Sequence, residues 1–217
     1  ETRDLNYFIL PEWVGTLEQI PAEIREKYLA DGHKLRLDDP YIKEMVKKIV
    51  GDETNPFRIA FKIHKYLHLN MEYQRTGGWN AAPTVLKRGN GSCSEFTFSF
   101  IALARAAGLP ARYQAGIVVR GDDGSIDQVY HRWAQVYLPP FGWIPVDPSR
   151  GIPAGAMDVA TSFGSISHRF FITTHSGGDS PYLGWTYNNN SFYEFSGRAV
   201  VKSRTEAKWY PIKEKIK

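Results

Sequence analysis

The chain holds one cysteine, Cys93, and it stands where a helix is expected to begin. Ser92-Cys93-Ser94-Glu95 has the pattern of a capping box, a serine N-cap with a glutamate three residues on. Phe96, Phe100, Leu103, Ala104 and Ala107 then share one helical face, and Gly108 with Pro110 supplies the stop. Cys93 is thereby placed in the first turn, where unpaired backbone N–H groups and the positive end of the dipole favour a thiolate over a thiol. A thiolate is the nucleophilic form of cysteine, so the position suits attack on a carbonyl. Glu95 works against this slightly, because a carboxylate opposes a second negative charge beside it. The plainer alternative is an inert buried thiol. A single cysteine leaves no internal disulfide and no cysteine metal cluster.

A thiol nucleophile needs a base, and the base needs an orienting partner. His33 lies near a loop, and His168 and His175 fall in stretches without clear periodicity. His64 and His68 stand four apart on an amphipathic helix, a metal-binding spacing. No acidic residue stands between them and no third ligand is evident, so they read as helix-surface residues and no metal is expected. His131 lies in a strand, Val129-Tyr130-His131-Arg132-Trp133, and Asp147 ends the next one, Trp143-Ile144-Pro145-Val146-Asp147. These strands form a hairpin around Pro139-Pro140-Phe141-Gly142. If Leu138 pairs with Gly142, Asp147 comes opposite Trp133 and diagonal to His131 on the same face, within reach of a hydrogen bond. A slip of one residue puts the two on opposite faces.

The elements that must position these residues follow from the pattern of the whole chain. Its 217 residues, 42% hydrophobic and 23% charged, are enough for one domain with a sizeable core and exclude a disordered or fibrous chain. No apolar run reaches the length of a membrane span and no basic-then-apolar leader opens the sequence. The net charge of +4 comes largely from Lys43 to Lys48 and the C-terminal end, a solvated helix face rather than a nucleic-acid patch. Helices are expected over Pro21 to Ala30, from Asp39 through Val50, from Asn55 to about Leu69, briefly over Pro83 to Lys87, and from Cys93. Strands follow at Ala111 to Arg120, Val129 to Leu138 and Trp143 to Asp147. Short candidates lie at Arg169 to Thr173, Phe192 to Phe195 and Arg198 to Ser203. Helices first and strands after argue an α+β fold with an antiparallel sheet.

Three blocks in order carry a family resemblance. Gly91-Ser92-Cys93 with Glu95-Phe96 and Ala104 to Arg112 resembles the core motif of the transglutaminase-like superfamily. His131-Arg132-Trp133-Ala134-Gln135-Val136 resembles its histidine block, and Gly142 to Ser149 its aspartate block. The match runs from about Asn55 to Gly151 and more loosely from Pro21. It implies a papain-like fold whose central helix carries the nucleophile. It also implies roles: Cys93 attacks an amide carbonyl, His131 moves the proton, Asp147 orients His131, and the Cys93 N–H helps hold the oxyanion. Family members often add an upstream aromatic or polar side chain to that hole, for which Tyr73, Gln74 and Trp79 are the candidates. The Gln before and Trp after the cysteine of the protein-crosslinking animal branch are replaced by Ser92 and Ser94, and its calcium-site acidic clusters are missing. The resemblance is therefore to the bacterial or archaeal type.

The expectation is a single domain over 1–217, with a helical part at 1–54, a core at about 55–151 and a β extension at 152–217. It is read as a thiol hydrolase or transamidase acting on a protein or peptide, including cell-wall peptide, without a cofactor and without nucleic-acid partners. Trp133 and Trp185 are candidate walls of a substrate groove. The competing readings are a catalytically idle binding module and a glycan-binding surface in the aromatic stretch Tyr182 to Phe195. The start at Glu1 favours an exported protein whose leader is absent from this sequence.

Overall fold

A computed structural model describes residues 9–74, 78–118, 125–127, 130–149, 162–166, 170–176, 194, 196–200, 202 and 207–209, with 125–127 and 207–209 as backbone only. Five α-helices are described: α1 Ala22–Tyr28, α2 Pro40–Ile49, α3 Pro56–Asn70, α4 Ala82–Arg88 and α5 Cys93–Ala106. α2 and α3 each begin at a proline behind an Asx cap. Asp39 Oδ1 accepts the Tyr41 N–H at 2.9 Å, and Asn55 Oδ1 accepts the Arg58 N–H at 3.1 Å. α2 buries Ile42 and Met45 and leaves Lys43, Glu44, Lys47 and Lys48 in solvent, so the basic run is a solvated face as its spacing predicts.

α5 is different in kind, because it is buried all round. Residues Cys93 through Ala104 are all inaccessible, and Phe96, Phe98, Phe100, Ile101 and Leu103 form the middle of the core. Burying each of these large side chains is worth roughly 1.5–3 kcal/mol, which fixes the helix more firmly than propensity could. Helices α2, α3 and α4 pack on one side of it and the sheet on the other. The helix ends as expected, with Gly108 at φ +80° in the left-handed region.

The sheet has four strands in the order β6-β5-β3-β7, all neighbours antiparallel: β3 Ala111–Val118, β5 Tyr130–Leu138, β6 Gly142–Val146 and β7 Phe170–Ser176. Tyr113, Ala115, Ala134, Val136, Leu138 and Ile144 line its face toward α5. Gly116 lies beside His131 in the β3–β5 ladder, and a Cβ there would stand 2.6 Å from the Phe171 carbonyl oxygen and 3.1 Å from the Trp133 ring. A glycine is what lets β7 and Trp133 close together next to the histidine. Two short ladders complete the description: β1 Glu72–Tyr73 with β2 Asn90–Gly91, parallel, and β4 Ser125–Asp127 with β8 Ala207–Trp209, antiparallel.

The mixed helix and antiparallel sheet architecture agrees with the expected α+β class. Two local readings need correction. His64 is not a surface residue; it is fully buried and packs edge-on to Phe163 with ring centroids 5.6 Å apart, because it falls on the Ile59-Ile63-Leu67 face of α3. The expected strand at Arg198 to Ser203 is not formed at its described positions 198–200 and 202, where residues 198–200 are exposed with no ladder partner. The pieces 125–127 and 207–209 pair instead, three residues each and too short to show a period. The candidate at Phe192 to Phe195 falls almost wholly outside the described residues.

Candidate active site

The hairpin register decides whether the histidine and the aspartate meet. Leu138 pairs with Gly142, Val136 with Ile144 and Ala134 with Val146, so Asp147, one residue past β6, comes level with Trp133. His131 Nε2 lies 2.5 Å from Asp147 Oδ2, with both side chains nearly inaccessible. Asp147 is itself held: its N–H donates to the Ser162 carbonyl at 2.7 Å, and its Oδ1 accepts the Ser149 N–H at 3.1 Å and the Ser149 hydroxyl at 2.8 Å. The imidazole packs against the Trp133 and Phe170 rings at centroid distances of 6.1 and 5.7 Å, and those two rings lie 5.0 Å from each other. These contacts set the ring plane, and the aspartate selects the nitrogen that is left for other work.

That other work is at Cys93. His131, which holds Asp147 through one ring nitrogen, is also near enough to Cys93 to act on the thiol by its charge and hydrogen-bonding capacity. Burial alone pushes the thiol pKa up. The hydrogen bond and charge of His131, with those of Arg132, outweigh burial and leave the thiol below its ordinary value. Burial also opposes a charge on His131, yet the charge and hydrogen bond of Asp147, with the bond to Cys93, raise it to about 9. A lowered thiol beside a raised imidazole is the condition for a thiolate–imidazolium pair at neutral pH.

Glu95 acts differently from the expectation that it opposes the thiolate. It is fully buried at the third position of α5, where its Oε2 accepts the Ser92 N–H at 3.2 Å and pairs with Arg88 at 2.9 Å. Its Oε1 accepts from the Asn80 backbone at 3.1 Å and from the Asn80 side chain at 2.9 Å. Burial raises its pKa, and these donors more than offset that and hold it below the ordinary carboxylate range. One carboxylate thus caps the nucleophile helix, fixes the 78–80 segment and has its charge met by a guanidinium.

The three candidates for the oxyanion hole all lie on segments that flank the start of α5. Tyr73 pairs with Gly91 in the β1–β2 ladder, and the Gln74 N–H donates to the Gly91 carbonyl at 2.8 Å. Trp79 is 39% exposed and stacks under the Arg132 guanidinium, 4.4 Å from ring centre to the guanidinium carbon. Trp133 needs correction. It is wholly buried rather than groove-lining, because its row on β5 faces Gln114, whose Oε1 accepts the indole N–H at 2.7 Å, and it stacks on His131. Trp185 lies outside the described residues. Arg132 lies within the histidine block, and Asn80 and Gln114 lie outside the three blocks, so none of them carries a signal of its own in the sequence. A long-range polar contact leaves no periodic signal. Among the described residues no cluster of three or more metal-ligating side chains is present, and no helix is long and apolar enough to cross a membrane.

Asp147→Asn is expected to drop the His131 pKa from about 9 to below 6.5, since the charge is lost while burial remains. In the native protein the raised pKa contributes stability that is complete below pH 6.5 and lost as pH rises through about 9. The variant should lose that contribution. Imidazole proton shifts followed against pH measure the first effect, and thermal midpoints between pH 6 and 10 the second.

The profile of the transglutaminase-like superfamily matches residues 43–148, a stretch that contains Cys93, His131 and Asp147. An uncharacterized protein of Haemophilus influenzae is 36% identical over 132 residues, which cover 50% of this chain and 36% of that protein. The uncharacterized protein YebA of Bacillus subtilis is 34% identical over 147 residues, covering 58% and 20%. This chain therefore spans only a minor part of either relative's length. Among solved structures, a candidate cysteine protease of Cytophaga hutchinsonii superposes with a TM-score of 0.51 at 18% identity, over 81% of this chain and 63% of that one, a likeness of fold. With the nucleophile helix set against an antiparallel sheet and the three sequence blocks meeting at one end of it, the segment 43–148 belongs to the transglutaminase-like superfamily.

Proposed function

We propose that this protein is a cysteine-dependent acyl-transfer enzyme acting on an amide bond, with Cys93 as nucleophile, His131 as acid and base, and Asp147 as the group that orients and charges His131. What supports the reading is the buried His131–Asp147 hydrogen bond beside Cys93, whose thiol His131 lowers, with Cys93 at the start of α5. The thiolate adds to the carbonyl carbon, and the oxyanion formed is held by the Cys93 N–H together with a group from the segments carrying Tyr73, Gln74 and Trp79. Each such donor is worth about 2.7–4 kcal/mol. The C–N bond then breaks as His131 gives its proton to the leaving amine, leaving a thioester on Cys93. Water or an amine attacks the thioester, His131 takes the proton from the attacking group, and the thiolate departs. The first resolves the intermediate as a hydrolase, the second as a transamidase.

Because the chain has one cysteine, uptake of a thiol reagent reports Cys93 alone. Iodoacetamide at neutral pH is expected to label it far faster than a free thiol of pKa about 8.5 and to abolish cleavage or amine incorporation in step with labelling. A panel of peptides, with and without a labelled primary amine, identifies the acceptor. Turnover should fall on the alkaline side as His131 loses its proton near pH 9, since a neutral imidazole cannot protonate the amine. Labelling no faster than the free-thiol rate would leave an idle binding module as the better account.

A further inference from the structure

Behind His131 lies a hydrogen-bonded line that the catalytic reading above leaves unused. In the β3–β5 ladder Gln114 pairs with Trp133 and Gly116 with His131, so two neighbouring rungs share the face of the sheet that carries the imidazole. The Trp133 indole spans both rungs. Its N–H donates to Gln114 Oε1 at 2.7 Å on the first, and its Cη2 would stand 3.1 Å from a Cβ on Gly116 on the second. The plate held in this way packs on the His131 ring with 23° between their planes. Phe170, the other ring on the imidazole, has no polar atom by which to be held in register.

Gln114 is 2% exposed, and both ends of its amide are used. An indole nitrogen can only donate, so the amide atom facing it is the oxygen and the NH2 group faces the other way. There Gln114 Nε2 lies 2.9 Å from Nδ1 of His175, its ladder partner on β7. An amide NH2 only donates, so Nδ1 is the acceptor and the His175 ring is neutral. Burial, with the nearby charge of Arg112, holds His175 below its ordinary value and favours that neutral form. Three strands thus supply one line, His175–Gln114–Trp133, which ends against the ring of His131.

We propose that Gln114 is a positioning residue for His131 that acts through Trp133: the amide sets where the indole stands, and the indole sets the plane in which the imidazole meets Asp147 and faces Cys93. One hydrogen bond from Asp147 leaves the ring free to turn about it, and packing on the ring face removes that freedom. A hydrocarbon at position 114 leaves a buried indole N–H without its acceptor, and the indole shifts to recover one.

The proposal rests on His131 serving as acid and base, and its test is read on the His131 ring itself as well as on turnover of the panel peptide. Imidazole proton shifts are followed against pH in the full native chain and in Gln114→Met, Gln114→Glu, Trp133→Phe and the double variant of Gln114→Met with Trp133→Phe. Gln114→Met, which keeps the length and loses both hydrogen bonds, should lower the His131 midpoint from about 9 enough to cut the ratio of imidazolium to imidazole at a fixed pH about threefold. It should cut kcat about tenfold and change KM by less than about twofold, because a misplaced group slows the reaction without loosening substrate. Gln114→Glu keeps the oxygen that the indole needs and should hold the His131 midpoint at or above the native value. It also sets an acceptor against Nδ1 of His175, so the His175 midpoint should rise in this variant and not in Gln114→Met. Once Trp133→Phe has removed the indole N–H, adding Gln114→Met should move His131 no further. An unchanged His131 midpoint in folded Gln114→Met overturns the proposal, as does one in Gln114→Asn, whose amide is one methylene short, should the methionine variant not fold. So does a further shift in the double variant equal to that of Gln114→Met alone. A midpoint that moves in a protein that cleaves no amide sinks the enzymatic reading and leaves Gln114 standing; amide cleavage with a midpoint indifferent to Gln114 sinks only the proposal.

Discussion

Cys93→Ala is expected to remove amide turnover by roughly a millionfold, the scale at which loss of a triad nucleophile is felt when its partners have nothing to activate. The fold should survive. The side chain is small and alanine is the best helix former, so the first turn of α5 keeps its geometry. The capping box made by Ser92 and Glu95 does not involve the sulfur. Turnover is measured on the peptide substrate found in the panel, with far-ultraviolet circular dichroism and a thermal midpoint as controls for folding. A Cys93→Ala protein that cleaves at the native rate would end the thiol mechanism outright.

The largest effect on stability is expected from Glu95→Ala, at about 1–3 kcal/mol, the range for leaving a buried donor, here the Ser92 N–H, without its acceptor, since Arg88 itself stays in solvent. At about 2–4 °C per kcal/mol for a protein of this size, that lowers the thermal midpoint by roughly 2–12 °C. The cost has separable sources. The Arg88 guanidinium loses its counter-charge, and the backbone N–H groups of Ser92 and Asn80 and the Asn80 side chain lose their acceptor. Glu95→Gln keeps the shape and an acceptor and should cost less. The pH dependence separates charge from shape. Because Glu95 titrates below the ordinary carboxylate range, it contributes stability that is present above that range and lost as pH falls through its lowered value. Glu95→Gln should lack that acid-side loss. Equal midpoints for Glu95→Ala and the native protein would show that the carboxylate does not hold the 78–80 segment to α5.

The positions of the nucleophile helix and of the hairpin were readable in the chain because both depend on short-range rules. Ser92 and Glu95 cap α5 three residues apart, and Gly108 ends it in the left-handed region. The Pro139 to Gly142 turn sets Leu138 against Gly142, and from that one pair the period of two carries Asp147 to the same side as His131. The approach of Cys93 to the hairpin is a different matter. It depends on how α5 lies across β3 and β5, which is decided by packing within the shared core, where the Phe98 ring stacks on that of Tyr113 at 5.9 Å.

Residue types, their order and the local register were therefore determined by the sequence alone: a thiol at a helix start, and an imidazole and a carboxylate on one face of a hairpin. Only the tertiary structure decided what each polar side chain meets. It turned Glu95 from a repelling charge into a cap matched by Arg88, took Trp133 out of solvent and laid it on His131, and stacked Arg132 on Trp79. Secondary structure follows from interactions over three or four residues or across one turn, whereas the partner of a buried charge is chosen by chain segments far apart in sequence, through packing that leaves no periodic trace.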